Sequence, residues 1–285
     1  MLVDWEACRW GVGEEAARRM IGHARAAGNR VLEARWLPTL ATSALYGPRP
    51  VPEAIAICEE LLEQTRIDRK GEAVTLRALA HLEAMRGDFE RARALYRRSR
   101  ASLEDLGWKL HAASTSISSG PIELLAGNPL AAEMELRKDY EALERMGDRY
   151  YRSTLAGFLA DALYQQARYD EATEFTAISE EMAAPGDVSS QFLWRSVRAK
   201  VLAAGGRLAE AESLAREAVR IIRDSEEPDS KGDALMALAG TLMLAGRSGD
   251  AETTAREALG LFEAKGNVVA AERARAFLAE IVPVG

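Results

Sequence analysis

The chain has 285 residues, 48% apolar and 28% charged, with a formal net charge of −7 and a pI near 5.3. That is ordinary for a soluble globular protein and enough apolar material for a continuous inter-repeat core. The acidic excess disfavours nucleic acid and anionic membranes as partners, because phosphate binding needs clustered cations.

Met1 is followed by Leu2-Val3-Asp4-Trp5, not by a basic and apolar leader. No stretch approaches the ~20 apolar residues of a membrane span. The cytoplasm is therefore the expected location. Two cysteines, Cys8 and Cys58, form no CxxC pair and are read as reduced and packed.

In chain order, the pattern predicts a short helix over 2–10 and then alternating helices of two kinds. Outer (B) helices are expected over 13–27, 51–66, 88–106, 128–146, 169–183, 207–224 and 248–265. Inner (A) helices are expected over 30–46, 70–86, 108–126, 148–166, 188–205, 230–245 and 267–281. Leu155, Phe158, Leu159, Ala162 and Leu163 form one stripe at three- and four-residue spacing, as do Leu214, Ala218, Ile221 and Ile222. Asn128-Pro129 reads as a capped helix start. Gly107, Gly147 and Gly266 follow long helical runs, where a left-handed C-cap is expected. Gly11-Val12-Gly13 reads as a helix–helix turn. Gly120-Pro121 predicts a kink or break in helix 108–126, and Pro38 a similar disturbance in helix 30–46.

The pairs repeat. Gly87-Asp88-Phe89-Glu90-Arg91-Ala92 recurs as Gly127-Asn128-Pro129-Leu130-Ala131-Ala132, Ala167-Arg168-Tyr169-Asp170-Glu171-Ala172, Gly206-Arg207-Leu208-Ala209-Glu210-Ala211 and Gly246-Arg247-Ser248-Gly249-Asp250-Ala251. The closing alanines lie 40, 40, 39 and 40 residues apart. One helix pair cannot bury its apolar face alone, so such units stack. The expected fold is all-α: a right-handed superhelix of about seven αα-hairpins, with residues 1–285 as a single repeat domain. The N-terminus reads as an entry into the middle of a solenoid, without a polar capping unit. Exposed Trp5 and Trp10 would then point to protein preceding this segment, or to a homodimer through this end.

These hairpins resemble tetratricopeptide-type repeats in a longer variant. Leu45-Tyr46-Gly47-Pro48-Arg49-Pro50-Val51-Pro52-Glu53-Ala54-Ile55, Glu141-Ala142-Leu143-Glu144-Arg145-Met146-Gly147-Asp148-Arg149-Tyr150-Tyr151 and Leu193-Trp194-Arg195-Ser196-Val197-Arg198-Ala199-Lys200-Val201-Leu202 resemble the C-terminal repeat region of large bacterial regulators. Those proteins join a cyclase homology domain and an AAA-type ATPase module to such a tail. The resemblance implies regulation and protein contact, with a protein, a peptide or domains of the parent protein as partner.

No motif supplies catalysis. There is no GxxxxGK[ST] and no GxSxG. His23, His81 and His111 fall in different repeats without HExxH spacing, so neither a metal nor a cofactor is expected. Arg86, Arg91, Arg93, Arg97, Arg98 and Arg100 form the one basic concentration, read as a solvated helix face. Arg195, Arg198 and Lys200 beside Trp194 are read as structural ion-pair members. In tetratricopeptide-type arrays the A helices line the concave face. That register places Arg77, His81, Tyr150, Tyr151, Thr154, Asp161, Tyr164, Gln165 and Lys200 there as a partner-binding set. Tyrosines flanked by charge combine apolar area with a polar tip, which suits peptide recognition. The expected function is a non-catalytic interaction scaffold, or else the ligand-sensing tail of a multidomain ATPase or nucleotide cyclase.

Overall fold

The computed structural model describes residues 7–65 and 68–281. Helices follow one another through this length as α1 (Trp10–Ala26), α2 (Arg30–Tyr46), α3 (Val51–Thr65), α4 (Arg69–Met85), α5 (Phe89–Asp105), α6 (Lys109–Ala113), α7 (Ser116–Leu125), α8 (Pro129–Arg145), α9 (Tyr150–Gln165), α10 (Tyr169–Met182), α11 (Val188–Ala204), α12 (Leu208–Ile222), α13 (Pro228–Leu244), α14 (Ser248–Lys265) and α15 (Val268–Ile281). No helix among the described residues is long and apolar enough to cross a membrane.

Outer helices bury a single stripe. In α12 it is Ala211, Ala215, Ala218 and Ile222. Inner helices bury most of their circumference, as α4 does from Gly71 to Met85. The repeat signature has a direct physical meaning here. Its closing alanines Ala92, Ala132, Ala172, Ala211 and Ala251 are all fully buried. Each is the small contact where an outer helix meets its neighbour. The turns before them need a left-handed residue, which Gly87, Gly127, Gly206 and Gly246 supply and which Ala167 adopts at φ 58°. Polar bonds also climb the stack one repeat at a time: Arg100 to Asp139, Asp161 to Lys200, and Asp229 to Asn267.

The inner helices pack in sequence, α2 on α4, α4 on α7, α7 on α9, α9 on α11 and α11 on α13. Then α15 returns to touch α4. The superhelix therefore closes on itself. Lys265, fully buried at the end of α14, donates to the carbonyls of Ala44, Gly47 and Arg49 at 3.1, 2.7 and 2.9 Å. Arg273 donates to the carbonyls of Leu124 and Leu125. The Glu226 amide donates to the Cys8 carbonyl, and Trp10 Nε1 donates to Glu227 at 2.8 Å.

This closure corrects the expectation of an open N-terminal end. Trp10 is 7% exposed, stacked on Tyr46 and covered by the chain's own later repeats. Trp5 and most of the short helix expected over 2–10 lie outside the described residues. Gly11-Val12-Gly13 is not a turn but the first turn of α1. Both cysteines are free and buried.

Helix 108–126 is broken, but at Ser114–Thr115, not at Gly120-Pro121, which lies inside α7. The cause is a neighbour. The Asp139 carboxylate of α8 accepts from the Ser116 amide, a terminal N–H of α7, and from Arg100 through both of its oxygens. Gly120 meanwhile lets α7 press on Leu136, where a Cβ would lie 2.7 Å away. Pro38 leaves α2 continuous. The Asn128 side chain makes no capping bond.

The basic concentration is a solvated face at Arg91, Arg97 and Arg98, as expected, and most of its cations are paired, with Arg100 drawn inward. Arg93 pairs with Glu123, Arg98 with Glu72, Arg91 with Glu59 and Glu83, and Arg100 with buried Asp139. Arg195 and Arg198 lie over the Trp194 ring at 4.0 and 4.4 Å from its centroid and reach Glu217 and Glu180. That is the structural pairing expected of them.

Candidate functional site

Closure turns the concave face into two cavities that share α4 as a wall. The central chamber has a volume of about 450 Å³ and is walled by α4, α7, α9, α11, α13 and α15. The second, about 710 Å³, is a groove between the N-terminal halves of α2 and α4, with α6 and the start of α9 as its far wall. Arg77 faces the groove and His81, one helical turn later, faces the chamber.

The groove is basic. Arg30, Arg35, Lys70 and Arg77 line it, against the single carboxylate Asp68, whose side chain is occupied capping α4 at the Lys70 amide. Lys70 sits over the Trp108 ring at 4.3 Å. Burial, with Lys70 and Arg77 nearby, holds His111 below the usual imidazole range.

The chamber carries opposite chemistry. Phe158, Phe192, Leu125 and Met236 give it an apolar wall. Its carboxylates are Asp161, Glu227, Asp229 and Asp233, against Lys200 and Arg273. Most of these are engaged. Asp161 pairs with Lys200 and accepts from Gln165, and Lys200 also lies 5.1 Å from the Tyr164 ring. Glu227 accepts from Trp10 and Ser230, Asp229 accepts from Asn267, and Arg273 is spent on backbone carbonyls. Burial, reinforced by Lys265, lowers His81 to about 4, so its imidazole is neutral at pH 7, and its Nδ1 is buried without a partner.

Of the residues expected on the concave face, His81, Asp161, Tyr164, Gln165 and Lys200 line the chamber, and Arg77 and Tyr151 line the groove. Thr154 and Tyr150 line neither. Thr154 is bonded to Ser190 between repeats, and Tyr150 is 52% exposed with its ring edge-on to Tyr151. Sequence reasoning missed the acidic wall of α13 and the contribution of α15. The spacing of Asp229 and Asp233, four residues apart at the start of an inner helix, was the available signal.

No protein-family model matches the chain, and no curated protein matches it. Solved structures do. The chain is similar to a Rap protein solved in complex with competence and sporulation factor (12% identity, 89% of this chain and 74% of that one, TM-score 0.56). It is similar to a signal-transduction ATPase with numerous domains and a tetratricopeptide repeat sensor from Pyrococcus horikoshii (14% identity, TM-score 0.52). There the match covers 94% of this chain and 43% of the other. A tetratricopeptide repeat protein from Parabacteroides merdae matches over 94% of this chain and 98% of its own length (15% identity, TM-score 0.52). At such identities the likeness shows the fold alone: an all-α, tetratricopeptide-like helical repeat.

Proposed function

We propose that this chain is a non-catalytic regulatory module that binds a peptide segment of a protein partner on its concave face. One observation carries the reading. The closed ring of inner helices holds two adjoining cavities, each with an aromatic wall and charged groups, and Arg77 and His81 of a single helix face one each. A preformed concave surface spares a flexible ligand part of the ordering cost of binding, because only the ligand must be fixed. The Rap structure was solved with a competence and sporulation factor bound, and the Pyrococcus protein carries its repeat as a sensor. Both support ligand capture on this kind of scaffold. The second likeness also supports the alternative that the chain is the sensing tail of a longer ATPase or cyclase regulator.

The test is a fluorescence-anisotropy screen of a random hexapeptide library against the chain and against Arg77→Glu, Tyr164→Ala and Lys200→Glu, with Arg216→Glu on the outer face of α12 as control. Binders that weaken at least tenfold with the concave variants and keep their affinity for the control are the expected result. Binders indifferent to all three concave changes, or none at all, would remove the concave-face reading.

A further inference from the structure

The inference rests on the concave-face reading above and concerns what the central chamber selects. Among the described residues, each charged group in the chamber except Asp233 has a hydrogen bond or an ion pair. Asp161 holds Lys200, Glu227 holds Trp10 and Ser230, Asp229 holds Asn267, and Arg273 holds two carbonyls. Asp233 sits one turn beyond Asp229 on the same face of α13. It keeps accessible surface and it lines the chamber.

A second observation points the same way. Ser196 lines the same chamber from α11, is only 5% exposed, and its Oγ has no hydrogen-bond partner. A buried hydroxyl without a partner costs stability unless something else fills its valence. Four residues after Ser196, Lys200 reaches into the same charged group. The chamber thus presents an unpaired carboxylate beside an apolar wall of Phe158, Phe192, Leu125 and Met236, with the unpaired Ser196 hydroxyl buried in its lining.

We infer that the central chamber binds a primary ammonium group carried on an apolar body, with Asp233 as its counter-ion and the aromatic wall as the seat of that body. Four carboxylates face Lys200 and Arg273, with buried Lys265 behind Asp229 and Glu227, so one carboxylate still lacks a cation, and an ammonium supplies it. A metal ion is a poorer fit. Among the described residues no group of three or more His, Cys, Asp or Glu is arranged to hold one. The basic groove beyond Arg77 has the complementary preference, so a peptide entering with its amine in the chamber lays its acidic portion toward Arg77 and Lys70.

The site has its own pH signature. Burial first, then Asp229, pushes Asp233 up from 3.8 to about 7, with Asp161 adding to the rise and Lys200 and Arg273 opposing it. Glu227 and Asp229 are also raised by burial, and His81 stays neutral. An ammonium stabilises the ionised carboxylate, so binding strengthens as pH rises through 7 and releases a proton.

The test is calorimetric, on the whole chain, with 2-phenylethylamine as probe and 2-phenylethanol as its uncharged counterpart. The amine is expected to bind at millimolar concentration and the alcohol at least tenfold more weakly. From pH 6 to pH 8 the amine's affinity should rise about tenfold, following ionisation of a group near 7, while the alcohol's stays flat. Asp233→Asn should abolish both the preference and the pH dependence, and Asp233→Glu should keep them. Asparagine mimics the neutral acid, and an unchanged melting temperature checks that the variant folds. A chamber that takes amine and alcohol alike, an amine affinity untouched by Asp233→Asn, or no amine binding overturns the assignment. If concave-face peptides persist in the hexapeptide screen, that failure leaves the proposed function standing. A positive amine result with an empty screen would do the reverse.

Discussion

Lys265 is where the two ends of the array are fastened, and Lys265→Met isolates its contribution. The ammonium is fully buried and donates to three carbonyls at the end of α2 and the loop after it. A helix C-terminus is an attractive place for a cation, because its last carbonyls lack partners and carry partial negative charge. Methionine fills similar volume but leaves three buried carbonyls without donors, at about 1 kcal/mol each. The expected loss is about 3 kcal/mol near pH 10, where the buried amine is neutral, and smaller at pH 7, where the cost of burying the charge offsets most of it. Burial lowers the ammonium's pKa from 10.5 to about 8. Below 8 both folded and unfolded chains hold the proton, and the burial penalty is fully present. Between 8 and 10.5 the unfolded chain binds more protons, so stability from this group rises with pH. The gap between 10.5 and about 8 is worth about 3 kcal/mol. The advantage of the native chain over Lys265→Met should therefore grow from pH 7 to pH 10. Urea unfolding followed by circular dichroism measures it. A loss under about 1 kcal/mol at pH 10, or an advantage that shrinks with pH, would refute the argument that this lysine clasps the ring.

Other substitutions test the packing and the polar ladder. Gly232→Ala places a Cβ 2.4 Å from the Phe262 ring, so it should cost about 1–3 kcal/mol by overpacking, read from the same urea curves. Ala172→Leu at a fully buried signature position should cost a comparable amount, whereas Ala→Leu at exposed Ala209 serves only as a control of helix content. Asp139→Asn keeps an oxygen for the Ser116 amide but removes the buried charge facing Arg100, which retains Glu104 and Glu135, so a loss of about 2 kcal/mol is expected; a loss near zero would show that the capping bond alone matters. Cys8 and Cys58 are both buried, with thiols pushed well up by burial, Cys58 to about 12; a thiol-reactive dye at pH 8 should label neither until the chain is unfolded.

The repeat was legible because it is local. The alanines at 40-residue spacing, the turn glycines and the outer-helix stripes each report contacts between consecutive elements, and these set the helix order. His81, Tyr164 and Lys200 fell together for the same reason: inner helices repeat their facing positions. What escaped was non-local. Nothing near Ser114 announces that Asp139, on the next helix, will intercept the Ser116 amide and move the break away from Pro121. Thr154 was assigned to the open face because its partner Ser190 lies one repeat away.

Ring closure is the clearest case of information that periodicity cannot carry. A repeat pattern specifies each hairpin's neighbour, but the small rotation per repeat decides whether residue 265 ever meets residue 44. A lysine at the end of α14 reads locally as a cation complementing a helix C-terminus. Only the accumulated rotation converts it into a buried clasp on α2. The same rotation brings α15 to α4 and Asp233 into a chamber with His81 and Ser196. Closure also changes how the array should unfold. An open solenoid sheds repeats from its ends, because terminal units have one neighbour each. Here the first and last hairpins hold each other through Trp10–Glu227, Lys265 and Arg273, so neither behaves as an end. The native chain should therefore unfold in one urea transition, with hydrogen exchange in α1 and α15 as slow as in α9. Lys265→Met should separate these rates, with α15 exchanging first. Faster exchange at α1 and α15 in the native chain would show that the contacts between the two ends add little to the stacking of neighbours.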